Sequence, residues 1–355
     1  MAAPRPLLVT SDTSLTDDLL RLAAAAGVEL HVAPDAEAAA RLWRAAPLIV
    51  LDMPNALVLS RDLARRDGAQ RDRRDGILVV SRDEDPEAWR VAVQVGAEHV
   101  ACLPEAERWL IGRLAEGGEG PSRNGRVVMV TGAVGGAGAS TLAVSLALLA
   151  AKQHRVLLVD VDPCGGGLDL LLGAENLGGA RWPDLTQAHG RINAGALASA
   201  LPCSNGVFLL SAAREHQPHI DADVLGAVLD AGVRGFDLVM IDVPARSALL
   251  PSVMPRSHDR LLVVPNHTRA VIAATHVIGT WPDDHFQILM RADGGGLADN
   301  VVAHALGQSV TASLPWQRTL ANRADDGVIP IARDHFARAC SAVLDSVGVS
   351  AARVA

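Results

Sequence analysis

Short apolar runs alternate with longer amphipathic stretches along almost the whole chain. In the first 115 residues, Pro6–Thr10, Val28–Val32, Leu48–Leu51, Ile77–Val80 and His99–Cys102 have the length and composition of strands. Between them, Leu15–Ala26, Asp35–Ala45, Pro86–Val95 and Glu105–Leu114 carry helical periodicity. The stretch Asn55–Asp75 is rich in Arg and Asp and is only loosely patterned.

Residues 116–125, Glu-Gly-Gly-Glu-Gly-Pro-Ser-Arg-Asn-Gly, lack large apolar side chains and read as a linker. Beyond it the alternation resumes. Val127–Val130, Arg155–Val159, Phe236–Asp242, Arg260–Asn266 and Phe286–Arg291 read as strands. Leu142–Ala151, Leu320–Asp326 and Ala332–Val347 read as helices. The pattern predicts two α/β domains, residues 1–115 and 126–355, each with a mostly parallel sheet covered by helices. Five βα units suit a flavodoxin-like doubly wound sheet in the first domain, with its site at the carboxyl ends of the strands.

Composition narrows the functional classes. A chain of 355 residues, 49% apolar, can fill two cores. Its net charge of −8, with no block of like charges, argues against non-specific nucleic-acid binding and against a polybasic membrane patch. All but one of its 32 basic residues are Arg, which fits codon bias in a GC-rich genome. Cys102, Cys164, Cys203 and Cys340 are scattered, without metal or disulfide-framework spacing. No charged-then-apolar leader is present, and no apolar stretch reaches about 18 residues, so a soluble, cytoplasmic protein is expected.

The candidate chemistry begins at residues 131–141, Thr-Gly-Ala-Val-Gly-Gly-Ala-Gly-Ala-Ser-Thr, set between a strand and a helix. That is the layout of a phosphate-binding loop, in which backbone N–H groups and a helix N-terminus hold phosphates. The usual motif, G-x-x-x-x-G-K-[ST], bridges the β- and γ-phosphates with its lysine. Here Ala139 stands at the lysine position, and the only lysine is Lys152. Lys152 lies 12 residues beyond Ser140, about 18 Å along a continuous helix and out of reach of the loop. Gly135, Gly136, Ala137, Gly138, Ala139, Ser140 and Thr141 are the expected ATP or ADP contacts, with the Ser140 hydroxyl directed to Mg²⁺. Asp160 and Asp162 close the next strand, and β-alternation directs both to one face. Asp242 ends an apolar strand in a Walker B pattern and is a second Mg²⁺-side carboxylate.

The N-terminal half resembles a CheY-like response-regulator receiver. Asp52 ends the third strand at the phosphoacceptor position, Ser81 ends the fourth, and Asp12 follows the first. The receiver's acidic pair is reduced to one residue, and its Lys-Pro is Leu103-Pro104. A degenerate receiver used for contacts is therefore expected.

The C-terminal half, by the order of its glycine loop, its Asp160-Val-Asp162-Pro163 strand end, its Asp242-Val-Pro244 segment and its Leu314-Pro315 closing segment, resembles the MinD/ParA family of deviant Walker A ATPases. The family's two loop lysines align with Val134 and Ala139, and the aspartate of its closing segment with Gln317. The receiver-like half, the Gly-Gly-x-Gly-Ala-Ser-Thr loop and the segment Arg181–Leu185 narrow the resemblance to the CpaE/TadZ branch, with its actinobacterial septum site-determining members.

The resemblance implies ATP/ADP and Mg²⁺ binding, with Asp160 supporting the metal and Asp162 orienting the attacking water. It also implies a homodimer through the nucleotide domain and placement of septum or Tad-type pilus/secretion machinery, with the protein concentrated at a septum or pole. Without the lysines, hydrolysis is expected to be weak or absent, and the trans-dimer lysine contact cannot form. The alternatives are an active MinD-type ATPase cycling on a surface and a phospho-regulated output protein acting through Asp52.

Several residues have plainer readings. Arg246 reads as a solvated arginine that could partly replace the lost lysine charge, and Glu215–His219 as a loop. Trp182 and Trp316 read as packing residues. The C-terminal helix carries Arg333 and Arg338, Asp334 and Asp345, and Phe336 as its only aromatic; Arg353 lies beyond it. Membrane association is therefore expected to be indirect.

Overall fold

A computed structural model describes residues 5–65, 76–82, 86–119, 123–185, 191–212, 219–316 and 334–350. They divide into two compact units, Met1–Ser122 and Arg123–Ala355.

The first unit is a five-stranded parallel sheet in the order β2-β1-β3-β4-β5. Its strands are β1 (Leu7–Val9), β2 (His31–Ala33), β3 (Ile49–Asp52), β4 (Ile77–Ser81) and β5 (His99–Cys102). Its helices are α1 (Thr13–Ala25), α2 (Ala36–Ala39), α3 (Met53–Arg65), α4 (Pro86–Val95) and α5 (Glu107–Glu119). Alternation along each strand splits the core in two. Leu7, Val9, Ile49, Leu51, Ile77 and Val79 pack with Ala39, Ala56, Val91 and Val95. Leu8, Val50, Leu78 and Val80 pack with Leu15, Leu19, Leu22, Leu110 and Leu114.

Four local expectations need correction. The first half of Asn55–Asp75 belongs to α3: Ala56 is buried in the core, Met53, Leu57 and Leu59 pack against that core, and the charged residues had masked this stripe. The second strand starts later than Val28, because the Val28 N–H caps α1 by donating to the Ala23 carbonyl at 3.0 Å, after Gly27 turns at φ 69°. The second helix is one turn, followed by hydrogen-bonded turns through Ala45. Finally, α5 runs on to Glu119, through residues that read as linker. A Cβ on Gly117 would lie 2.7 Å from the Leu48 Cβ, and one on Gly118 2.1 Å from the Val28 Cγ1. These glycines permit close packing of a helix end.

The second unit is an eight-stranded sheet, β13-β12-β11-β6-β10-β7-β9-β8, parallel except for the β8–β9 pair. Its strands are β6 (Arg126–Gly132), β7 (Val156–Asp160), β8 (Cys203–Ser204), β9 (Val207–Leu210), β10 (Leu238–Asp242), β11 (Asp259–Pro265), β12 (Gln287–Ala292) and β13 (Val310–Pro315). Five match the expected strands to within one or two residues; β9 has an apolar run, Val207–Leu210, that was not singled out, while β8 and β13 carry no comparable run.

Among its helices, α6 (Ala139–Ala150) is buried from Leu142 to Ala150 and needs no polar face. It shares one core with the C-terminal helix α14 (His335–Ser346) through Phe336, Cys340, Val343 and Leu344. The opposite face is covered by α9 (Ala194–Ala200), α10 (Ala222–Gly235), α11 (Leu250–Val253), α12 (Thr268–Thr280) and α13 (Asp299–Leu306). Two short helices, α7 (Leu168–Leu171) and α8 (Trp182–Leu185), follow β7.

The expected helix Leu320–Asp326, the Gln317 position, residues Glu215–Pro218, Arg333 and Arg353 lie outside the described residues. No helix among the described residues is long and apolar enough to cross a membrane.

Candidate functional site

The carboxyl ends of β6, β7, β10, β12 and β13 open onto one cavity of about 1020 Å³. Its walls include the whole loop from Gly132 to Thr141, together with Asp160, Asp162, Asp242, Arg246, Arg291 and Trp316. Every residue expected from the sequence to bind the nucleotide or its metal lines it.

The loop's shape follows from its glycines. Gly136 and Gly138 have φ of 71° and 97°, left-handed values that favour glycine. A Cβ at Gly135 or Gly136 would meet nothing within 4 Å, so the loop leaves open space there. Gly138 is the N-cap of α6 and supplies no side-chain cap. The helix's first N–H groups therefore remain available to an anion, with the helix dipole favouring negative charge.

The carboxylates are arranged by strand register. Asp242 pairs directly with Asp160 across β10 and β7. Asp160 is 3% exposed and Asp242 5%. The Asp160 carboxylate accepts hydrogen bonds from the Asp162 N–H at 3.1 Å and the Leu168 N–H at 3.0 Å. Burial pushes its pKa up to about 6; those two hydrogen bonds oppose the rise, and Asp162 and Asp169 add to it. Burial pushes Asp242 up to about 7, opposed by the Ser140 hydroxyl and reinforced by Asp160 and Asp162. Asp162 lies just beyond β7 and accepts from the Cys164 N–H at 3.0 Å. The Asp160–Asp162 pair thus also shapes its own turn, as short acidic pairs at strand ends do.

Two buried carboxylates facing each other, with no cation among the described residues acting on either, suit a divalent cation. Among the described residues no three His, Cys, Asp or Glu side chains gather into a complete metal cage. Mg²⁺ needs none, since it uses one or two carboxylates with waters and substrate phosphates. The residues therefore fit Mg²⁺ carried in with a nucleotide.

Among the described residues, two arginines line the cavity. Arg246 is exposed. Arg291, at the end of β12, was not singled out by sequence. It donates to the Gly136 carbonyl at 2.5 Å, pairs with Asp293, and lies 4.7 Å over the Trp316 ring. Its position at the carboxyl end of a parallel strand was the available signal. Trp316 departs from the packing expectation: it is 47% exposed on the cavity wall. Trp182 meets that expectation, being 2% exposed and donating to the Asp160 carbonyl at 2.7 Å.

The receiver-like positions behave differently. Asp12 caps α1 by accepting from the Leu15 N–H at 3.0 Å. Asp52 is buried and accepts from the Thr10 hydroxyl at 2.6 Å, the Asn55 N–H at 2.8 Å and the Asn55 Nδ2 at 2.9 Å. Ser81 and Leu103 are buried.

Comparison with known proteins agrees with both folds. The family described as Rv3660c-like, CheY-like N-terminal domain matches residues 9–126. The Mycobacterium tuberculosis H37Rv protein Rv3660c is 36% identical over 332 residues, covering 91% of this chain and 92% of its own. A ParA family ATPase from Chlorobium tepidum superposes with a TM-score of 0.55 at 16% identity, covering 62% of this chain and 98% of its own. The septum site-determining protein MinD from Pyrococcus horikoshii, solved with Mg-ADP, gives 0.54 at 18% identity, covering 62% and 95%. The architecture is a CheY-like α/β domain joined to a MinD/ParA-type P-loop fold.

Proposed function

Because the chain belongs to the Rv3660c-like family, we propose that it is a nucleotide-binding spatial regulator, with residues 126–355 as the nucleotide domain and residues 1–115 as a contact domain. One observation carries this reading: the glycine loop and the Asp160–Asp242 pair open on the same cavity, the first suited to phosphates and the second to their metal. The amides of residues 135–141 hold the phosphates, and Ser140, Asp160 and Asp242 hold Mg²⁺. Asp162 orients the attacking water. Bound Mg²⁺ supplies charge neutralisation at the β- and γ-phosphates.

Hydrolysis is weak or absent, because Ala139 provides no charge for the transition state, where such charge counts most. The protein then acts chiefly as a nucleotide-dependent scaffold. Its partners are a second copy, through the nucleotide domain, and the proteins of a septum or Tad-type pilus/secretion apparatus. That role accords with the CpaE/TadZ and septum site-determining resemblance and with the MinD likeness. The N-terminal domain serves contact: its would-be phosphoacceptor Asp52 is already held by three hydrogen bonds.

A fluorescent fusion in cells tests the reading. Asp242→Ala is expected to scatter a localised signal, and Asp52→Ala to leave it in place. A focus that survives Asp242→Ala and disperses with Asp52→Ala would reverse the assignment and favour phosphorelay control.

A further inference from the structure

We propose that the Arg291 guanidinium is the cation of the phosphate site, taking over from another strand the charge that the loop lacks at Ala139. The inference rests on the nucleotide reading above. Among the described residues, only Arg246 and Arg291 bring full positive charge to the cavity wall. Arg246 is exposed, so ordering it on a ligand costs side-chain entropy.

Arg291 is already ordered. Its side chain is 15% exposed. Its Nη1 donates to the Gly136 carbonyl at 2.5 Å, in the middle of the phosphate loop. Its Nε and Nη2 donate to the two oxygens of Asp293 at 3.0 and 2.9 Å, a fork geometry that fixes the guanidinium plane. One face of the group rests on Trp316. Its Cδ approaches to within 3.9 Å of where a Gly138 Cβ would stand, so the side chain runs directly along the loop.

A guanidinium has five N–H bonds. Three are committed to Gly136 and Asp293, which leaves two uncommitted on a side chain that lines the cavity. A cation held in advance beside a phosphate cradle binds phosphate without first being ordered. Asp293 orients the group but also offsets its charge in the free protein, and a bound polyphosphate competes with that carboxylate.

A plain structural brace would use the same contacts, so the test must separate charge from bracing. Titrate the full-length protein with ATP, ADP and adenosine in Mg²⁺ at several salt concentrations, using the wild type, Arg291→Gln, Arg291→Lys and Asp293→Asn. Arg291→Gln is expected to weaken ATP and ADP about tenfold or more, leave adenosine unchanged, and flatten the salt dependence of Kd. Arg291→Lys should fall between. Asp293→Asn should tighten ATP or leave it unchanged, since it unmasks the charge. Ala139→Lys placed on Arg291→Gln should restore affinity for ATP.

A brace predicts otherwise: equal losses for Arg291→Gln and Asp293→Asn, adenosine included, without rescue. That result, or Arg291→Gln binding like the wild type, overturns the assignment while the nucleotide reading stands. A wild type that binds none of the three ligands removes both.

Discussion

The molecule carries two buried acidic sites at the carboxyl ends of parallel sheets, and they are opposite in character. In the N-terminal unit, Asp52 is 4% exposed and accepts three short hydrogen bonds from Thr10 and Asn55. In the C-terminal unit, Asp242 is 5% exposed, is bonded by the Ser140 hydroxyl, faces Asp160, and is pushed up to about 7. Burial is the same; partnership is not. A buried carboxylate whose oxygens are supplied with donors completes a local structure. A buried pair that repels, beside an open phosphate cradle, has the chemistry that suits a cation. Position at a strand end, which sequence can read, does not separate these cases; the donor count does.

The largest expected effect breaks the symmetry between the two sites. Asp242→Ala should reduce Mg²⁺-dependent ATP affinity by at least the roughly 10–100-fold typical of losing a residue that only supports a metal ligand. Asp52→Ala should change it by less than about twofold. Calorimetric titration of both variants checks this, and equal losses would show that the two sites are not independent.

Next, Ala139→Lys should tighten ATP by about tenfold and raise turnover, because it returns a cation to the γ-phosphate position. Unchanged affinity and rate would mean the missing lysine is not what limits the site.

A smaller effect is read from pH. Asp242 and Asp160 have folded-state values of about 7 and about 6, above the ordinary 3.8. The folded form therefore holds more protons than the unfolded one between pH 4 and 7, and the carboxyls' contribution to stability falls as pH rises through that window. Asp242→Asn should raise the metal-free stability at pH 8 by on the order of 2 kcal/mol and flatten its pH dependence. At pH 5 the two proteins should melt alike. A wild type whose metal-free Tm climbs steadily from pH 5 to 8, with no gain from Asp242→Asn, would contradict the repelling pair.

The smallest effect belongs to the satisfied site. Thr10→Val removes one of Asp52's donors and should destabilise the N-terminal unit by about 1–3 kcal/mol without affecting nucleotide binding.

The same contrast explains what the sequence could disclose. The glycine loop, Asp160, Asp162 and Asp242 were legible because each sits within one short segment, where strand, turn and helix signals lie side by side. Arg291 was not: it meets Gly136 from 155 positions away, and only the sheet order brings β12 that near β6. Gly117 and Gly118 were misread for a related reason. As letters they punctuate a linker, whereas in the fold they let α5 close on Leu48 and Val28. The helix α3 was hidden by its charged residues, although its apolar stripe was present. Local chemistry was readable; what depended on a distant neighbour was not.

The account's central claim is that the protein holds a nucleotide which it scarcely hydrolyses. Titration of one purified sample with Mg²⁺-ATP and Mg²⁺-ADP, with phosphate release followed on the same sample, tests it most directly. Saturable binding of both nucleotides in the micromolar to millimolar range, with turnover near background, is the predicted result. Brisk hydrolysis abolished by Asp162→Ala, or a folded protein with no response to either nucleotide, would contradict it.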